Sequence, residues 1–157
     1  MARHDALTAA VIAAERDADA EGWDGSHRLY ALADRDTYLD VAYPLDEPPD
    51  LPPGTLVAIP LTPLGAAVPL LTELTKVTWP ADVRGCVLVT EVSAGADLVS
   101  GPRGRRIRWG AAHLAVGVLR DGYHLSLLRF RDSPELRSAS RAAGDVVSSL
   151  LASFGSD

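Results

Sequence analysis

The stretch SGPRGRRIRW, residues 100–109, gathers Arg103, Arg105, Arg106 and Arg108 beside Trp109, with Gly101 and Gly104 between them. Guanidinium forks bind carboxylates or phosphates through paired hydrogen bonds, and an adjacent indole can stack on a base or a guanidinium. These five residues are the chain's strongest partner-binding candidates, with an acidic protein segment as the expected partner. RNA binding through 103–108 is the alternative. A formal net charge of −6 disfavours it, because contacts to many phosphates need a surplus of Lys and Arg. The bland reading of the same residues is a solvated loop between strands, or one that binds the protein's own acidic helix.

Other reactive side chains fit structural roles better. Cys86 is the single cysteine and sits in the apolar run GCVLVTEV, with no neighbouring cation to lower its pKa. A lone cysteine also excludes an intramolecular disulfide and a cysteine-rich metal site. Ser26 and His27 are adjacent, yet no nucleophile elbow surrounds them. The chain has no HExxH, CxxC, Walker or dinucleotide-binding motif. No catalytic residue, cofactor or metal site is therefore assigned. An enzyme or small-molecule site would have to be assembled from distant strands, out of residues such as His27, Glu91, Arg108 or His113.

His113 and His124 fall in HLAVGVLRDGYHLSLLRF, residues 113–130. Asp121-Gly122 is a strong hairpin signal, since both central residues of a type I′ turn need positive φ. A two-residue turn sets Arg120 opposite Tyr123, Leu119 opposite His124, Val118 opposite Leu125 and His113 opposite Phe130. Leu114, Val116, Val118, Tyr123, Leu125 and Leu127 then form one core face. The other face is smooth at Ala115, Gly117 and Ser126, where a helix is expected to lie close. The two histidines stand about 20 Å apart on this ladder and share no metal.

The elements that would position these groups follow from periodicity. Leu7, Val11, Ala14 and Ala18 mark an amphipathic helix over 5–21, with Asp5 as its cap and Gly22 as its stop. Glu15, Asp17, Asp19 and Glu21 crowd the end where the helix dipole prefers cations, as a solvated face or a patch for a basic partner. Residues 28–33 alternate as a strand, and a second short strand is expected at 37–43. PLDEPPDLPPG, residues 44–54, reads as a stiff surface loop. A strand at 55–61, a helix from Pro69 to about Lys76 burying Leu70, Leu71 and Leu74, and a strand at 85–92 follow. Ser133, Pro134 and Glu135 open a final helix whose apolar stripe runs from Leu136 to Phe154.

Composition agrees with one ordinary globular domain: 157 residues, 47% hydrophobic and 23% charged. No apolar run approaches the roughly twenty residues of a membrane helix. MARHDALTAA lacks the apolar core of a secretory signal, so the expected location is the cytoplasm.

Four segments resemble an uncharacterised conserved family of high-GC Gram-positive bacteria (actinobacteria): GWDGSHRLYALAD, IPLTP, LTKVTWPADVRGCVLVTEV and LAVGVLRDG. The resemblance implies no activity. Family members tend to carry a longer acidic insertion before the hairpin, where this chain has SGPRGRRIRW. The element order is also similar to that of type III secretion chaperone-like and YbjN-like proteins, which implies a sheet that often dimerises to hold an extended partner.

The sequence thus predicts a single α+β domain over 1–157. Its antiparallel sheet of about five to six strands is flanked by N-terminal, middle and C-terminal helices. The expected role is a non-enzymatic protein- or peptide-binding module, an adaptor or chaperone-like homodimer.

Overall fold

The computed structural model describes residues 3–42, 50–65, 67, 69–101, 104–139 and 143–155. Helix α1 (Arg3–Glu21) buries Leu7, Ala10, Val11, Ala14 and Ala18 along one stripe. Gly22 stops it with φ +113, and its N–H caps the carbonyls of Ala18 and Asp19. The chain then forms β1 (Arg28–Asp34), α2 (Arg35–Ala42), β2 (Leu56–Pro60), α3 (Leu70–Leu74), β3 (Gly85–Gly101), β4 (Gly104–Leu119), β5 (His124–Phe130), β6 (Leu136–Ser138) and α4 (Gly144–Ala152). The strands make one six-stranded antiparallel sheet in the order β2-β1-β3-β4-β5-β6. This is the expected α+β class. None of the described helices is long and apolar enough to cross a membrane.

Both faces of the sheet are covered. Helix α1 packs on Tyr30, Leu32, Val87, Val89 and Ala115. On the reverse face Leu88, Leu114, Val116 and Val118 meet Leu74 of α3 and Leu150 of α4. A central strand buried on two sides needs apolar residues at successive positions, which explains the unbroken run Cys86-Val87-Leu88-Val89. Gly117 lets α1 approach closely: a Cβ built there would stand 2.5 Å from Val11 and 3.0 Å from Leu7.

Five expectations need correction. Residues 37–42 are helical, because the Asp34 carboxylate accepts the Thr37 N–H at 2.8 Å and caps α2. Tyr43 and residues 44–49, most of the proline-rich stretch, lie outside the described residues. Helix α3 is only five residues long and leaves Leu71 44% exposed.

The final helix begins ten residues later than expected, at Gly144 rather than Pro134. Ser133 does accept the N–H of Glu135, but the turn it closes leads into β6. There Leu136, Arg137 and Ser138 satisfy the open edge of β5, a tertiary gain that local helix signals do not contain.

The hairpin register is shifted by one residue. The loop holds three residues, Arg120, Asp121 and Gly122, with Gly122 at φ +100 and Leu119 donating to the Tyr123 carbonyl at 2.7 Å. Val118 therefore faces His124, and Gly117 faces Leu125. A one-residue slip exchanges the faces of β5. Leu125 and Leu127 join Ala115 beneath α1, while Leu128 joins Val116 on the α4 side. The helix over Ala115 and Gly117 is where the smooth face implied, but Ser126 is not under it. The fifth correction, to SGPRGRRIRW, concerns the site.

Candidate functional site

From Gly104 to Trp109 the arginine-rich stretch is strand rather than loop. Strand β3 loses its β1 partner after Val89, and β4 meets β5 only from Ala112 onward. The two strands nevertheless stay paired with each other out to Gly101 and Gly104. The result is a two-stranded ribbon that runs roughly 25 Å past the covered sheet. In its backbone register Trp109 faces Gly95, Arg108 faces Ala96, Arg106 faces Val99 and Arg105 faces Ser100, with an irregularity between Asp97 and Val99. Arg103 lies outside the described residues. Four of the five expected partner-binding residues thus share one strand of the ribbon.

The base of this ribbon holds a charged cluster. Glu91, His113 and Arg129 are successive cross-strand neighbours on β3, β4 and β5, on the side that faces α1. Arg129 reaches α1, donating from Nε to one oxygen of Glu15 and from Nη2 to the other at 3.4 Å. The same Nη2 lies 2.8 Å from Asp19, and Nη1 donates to the Ser133 carbonyl at 3.1 Å. Asp19 also accepts the Trp23 indole N–H at 2.7 Å. The indole lies on the imidazole of His113, and the guanidinium groups of Arg129 and Arg131 approach its ring at 5.8 and 5.5 Å. Glu91 accepts the backbone N–H of Gly25. The segment after α1 is thereby folded over the cluster.

Glu15 and His113 are each 3% exposed, in a region where ionic groups must be paired to be tolerated. Burial pushes the Glu15 carboxyl up, but His113 and Arg129 together hold it below its ordinary value. The hydrogen bond that Arg129 donates to Glu15 raises the pKa of Arg129 against burial. His113 Nδ1 stands 3.7 Å from Glu15, too far for a hydrogen bond, and finds no other partner among the described residues. A shallow cleft of about 230 Å³ opens beside Glu15, Asp19 and Arg129. The crowding of acids at the end of α1, unfavourable for the helix alone, is explained in part by Arg129.

The remaining candidates separate. His27 sits on the opposite face of the sheet, 2.7 Å from the Thr90 hydroxyl, and is engaged there rather than with Ser26. His124 stands at the far end of the β4–β5 ladder from His113. Burial pushes the Cys86 thiol up to about 12, so it is no nucleophile. Among the described residues no group of three His, Cys, Asp or Glu is placed to hold a metal ion. Glu91 and His113 are the pair of scattered candidates that the fold brings together. Sequence reading missed Glu15, Asp19, Trp23 and Arg129 as their companions. The one signal was the misplaced acids of α1, which ask for a cation.

A sheet covered by helices on both faces, with its two central strands prolonged into a ribbon beyond a buried charged cluster, defines an α+β domain. The chain belongs to the PPA1309-like protein family, whose model matches residues 7–155. The four segments that carried the resemblance fall within that span. No curated protein and no solved structure matches the chain.

Proposed function

We propose that this protein is a non-enzymatic binding module, an adaptor or chaperone-like protein, that holds an extended acidic segment of another protein along the β3–β4 ribbon. The carrying observation is that both ribbon strands run past their last sheet neighbours at Val89 and Ala112, with Arg105, Arg106 and Arg108 along that length. A strand edge without a neighbour offers a row of N–H and C=O groups to an incoming chain, and arginines select an acidic one. On this reading the module works as a homodimer in the cytoplasm.

Native mass spectrometry of untagged protein isolated gently from its own host tests this. A co-purifying polypeptide that is lost from the Arg105→Glu, Arg106→Glu double variant is the expected result. A polypeptide retained by the variant overturns the ribbon as the contact. Co-purifying RNA released steeply by salt would replace the protein partner with nucleic acid.

The cleft lined by Glu15, Asp19 and Arg129, the last a cross-strand neighbour of His113, favours a second reading, a small-molecule site at the ribbon base. A discrete small-mass adduct that His113→Gln abolishes would select it.

A further inference from the structure

A cavity lies at the end of the sheet away from the ribbon, where α1 begins and the β4–β5 turn closes. It encloses about 560 Å³, a volume typical of small-molecule sites. Three arginines line it, Arg3, Arg84 and Arg120, together with two acidic residues, Asp34 and Asp121. Its apolar wall is formed by Ala6, Leu56, Ala81 and Leu119.

The charges are not equivalent. Arg3 pairs with Asp121, and Arg84 with Asp34 at 3.1 Å, yet Arg3 and Arg84 are 58% and 64% exposed. Such pairs compete with water and are weak, so either guanidinium can turn to a ligand at little cost. Asp34 keeps its own partner in that event, the Thr37 N–H at the start of α2. Arg120 differs from both. Its Nε and Nη2 donate to the carbonyls of Val83 and Pro80 at 2.9 to 3.1 Å, and its guanidinium lies 4.8 Å from the centre of the Phe154 ring. Among the described residues no carboxylate pairs with it. It is a cation held in place by neutral groups, and it is one of the residues that line a cavity with an apolar wall.

We propose that this cavity binds a small organic anion, an apolar body carrying a carboxylate, sulfonate or phosphate group. Arg120 supplies the fixed charge, Arg84 swings from Asp34 to complete a two-point grip, and the apolar body lies against Leu56 and Leu119. The site is independent of the ribbon and of any partner bound there.

Anilinonaphthalene sulfonate, an apolar fluorophore with one anionic group, is a suitable probe of the full-length protein. Saturable fluorescence at one site per chain is expected. Arg120→Gln and Arg84→Gln should each weaken it by about tenfold, the loss of one charge-assisted contact. Phenylnaphthylamine, the neutral analogue, should lose no affinity in either variant. The Arg84 change keeps the test sound should loss of the Arg120 anchors loosen the 80–83 loop. Near-ultraviolet circular dichroism identifies any variant that binds dye merely through loosened packing. Affinity that is unchanged in a folded Arg84→Gln variant, or binding that persists when Ala81→Trp fills the cavity, would overturn the proposal.

Discussion

The imidazole of His113 and the indole of Trp23 are stacked, with ring centres 3.6 Å apart and planes 4° from parallel. Trp23 stands two residues beyond α1, so this one contact fixes how the helix end meets the central strand. Asp19 reinforces it by accepting the indole N–H while also pairing with Arg129. Trp23→Ala should lower unfolding free energy by about 2–3 kcal/mol, from lost apolar burial and lost stacking. Trp23→Phe keeps a ring over His113 but no donor, and should lose about 1 kcal/mol. Urea titrations of both variants check the ordering; equal losses would show that the stack contributes nothing.

The carboxylate of Glu15 gives stability a defined dependence on pH. Burial raises its pKa, yet the hydrogen bonds of Arg129 and the charges of Arg129 and His113 bring it below the ordinary 4.5. A depressed folded-state pKa adds stability above the unfolded-state value, which disappears as pH falls through the folded-state value. The thermal midpoint should therefore hold steady above about pH 5 and fall below it. Glu15→Gln should cost about 2 kcal/mol at neutral pH and flatten the acid limb. Some slope should remain, because Asp19, Asp34 and Asp121 are also held low, chiefly by the Trp23 indole and by the backbone N–H groups of Thr37 and Tyr123. An acid limb identical in the variant would remove Glu15 from the account.

Two buried glycines should respond differently to the same methyl group. At Gly117 an added Cβ meets the side chains of Val11 and Leu7, which can move aside. At Gly85 it would stand 2.2 Å from the carbonyl oxygen of Val118, which is backbone. Gly117→Ala should destabilise by about 1–3 kcal/mol and still fold. Gly85→Ala should do more damage, by breaking the pairing of β3 with β4. Calorimetric midpoints of the two variants decide the order.

Cys86 offers a direct report of sheet opening. The side chain is fully buried, and desolvation pushes the thiol up to about 12, leaving almost no thiolate at neutral pH. Labelling by an aromatic disulfide reagent should be negligible in the native protein and rapid in urea, rising in parallel with unfolding. Fast labelling without denaturant would contradict a closed β1–β3–β4 core.

What could be read from the chain depended on whether a local pattern decided the outcome. The stripe of Leu7, Val11, Ala14 and Ala18 and the Gly22 stop defined α1, and the apolar run at 85–89 defined a central strand. Asp121-Gly122 located a hairpin but not its register, because the dipeptide fits a two-residue turn as well as the last two positions of the three-residue loop observed. Ser133 and Pro134 imitated a helix start, yet the open edge of β5 claimed Leu136–Ser138. Arg105, Arg106 and Arg108 stood out by density alone. Arg129 did not, although it is the residue that ties Glu15 and Asp19 to the sheet. Its role arises from a helix and a strand more than a hundred residues apart, a proximity that periodicity does not encode.

The ribbon also bears on how such a chain can change its length. From Ala94 to Gly101 and from Gly104 to Gly110 the two strands are partnered with each other. An insertion that adds equal numbers of residues to both arms would lengthen the reach of the tip and leave the helix-covered layers untouched. A single residue gained on one arm alone would instead reverse every position beyond it from one side to the other, unless a bulge absorbed it. The irregularity between Asp97 and Val99 is a bulge of this kind. Reach can thus drift in steps of paired residues while the body of the domain stays constant.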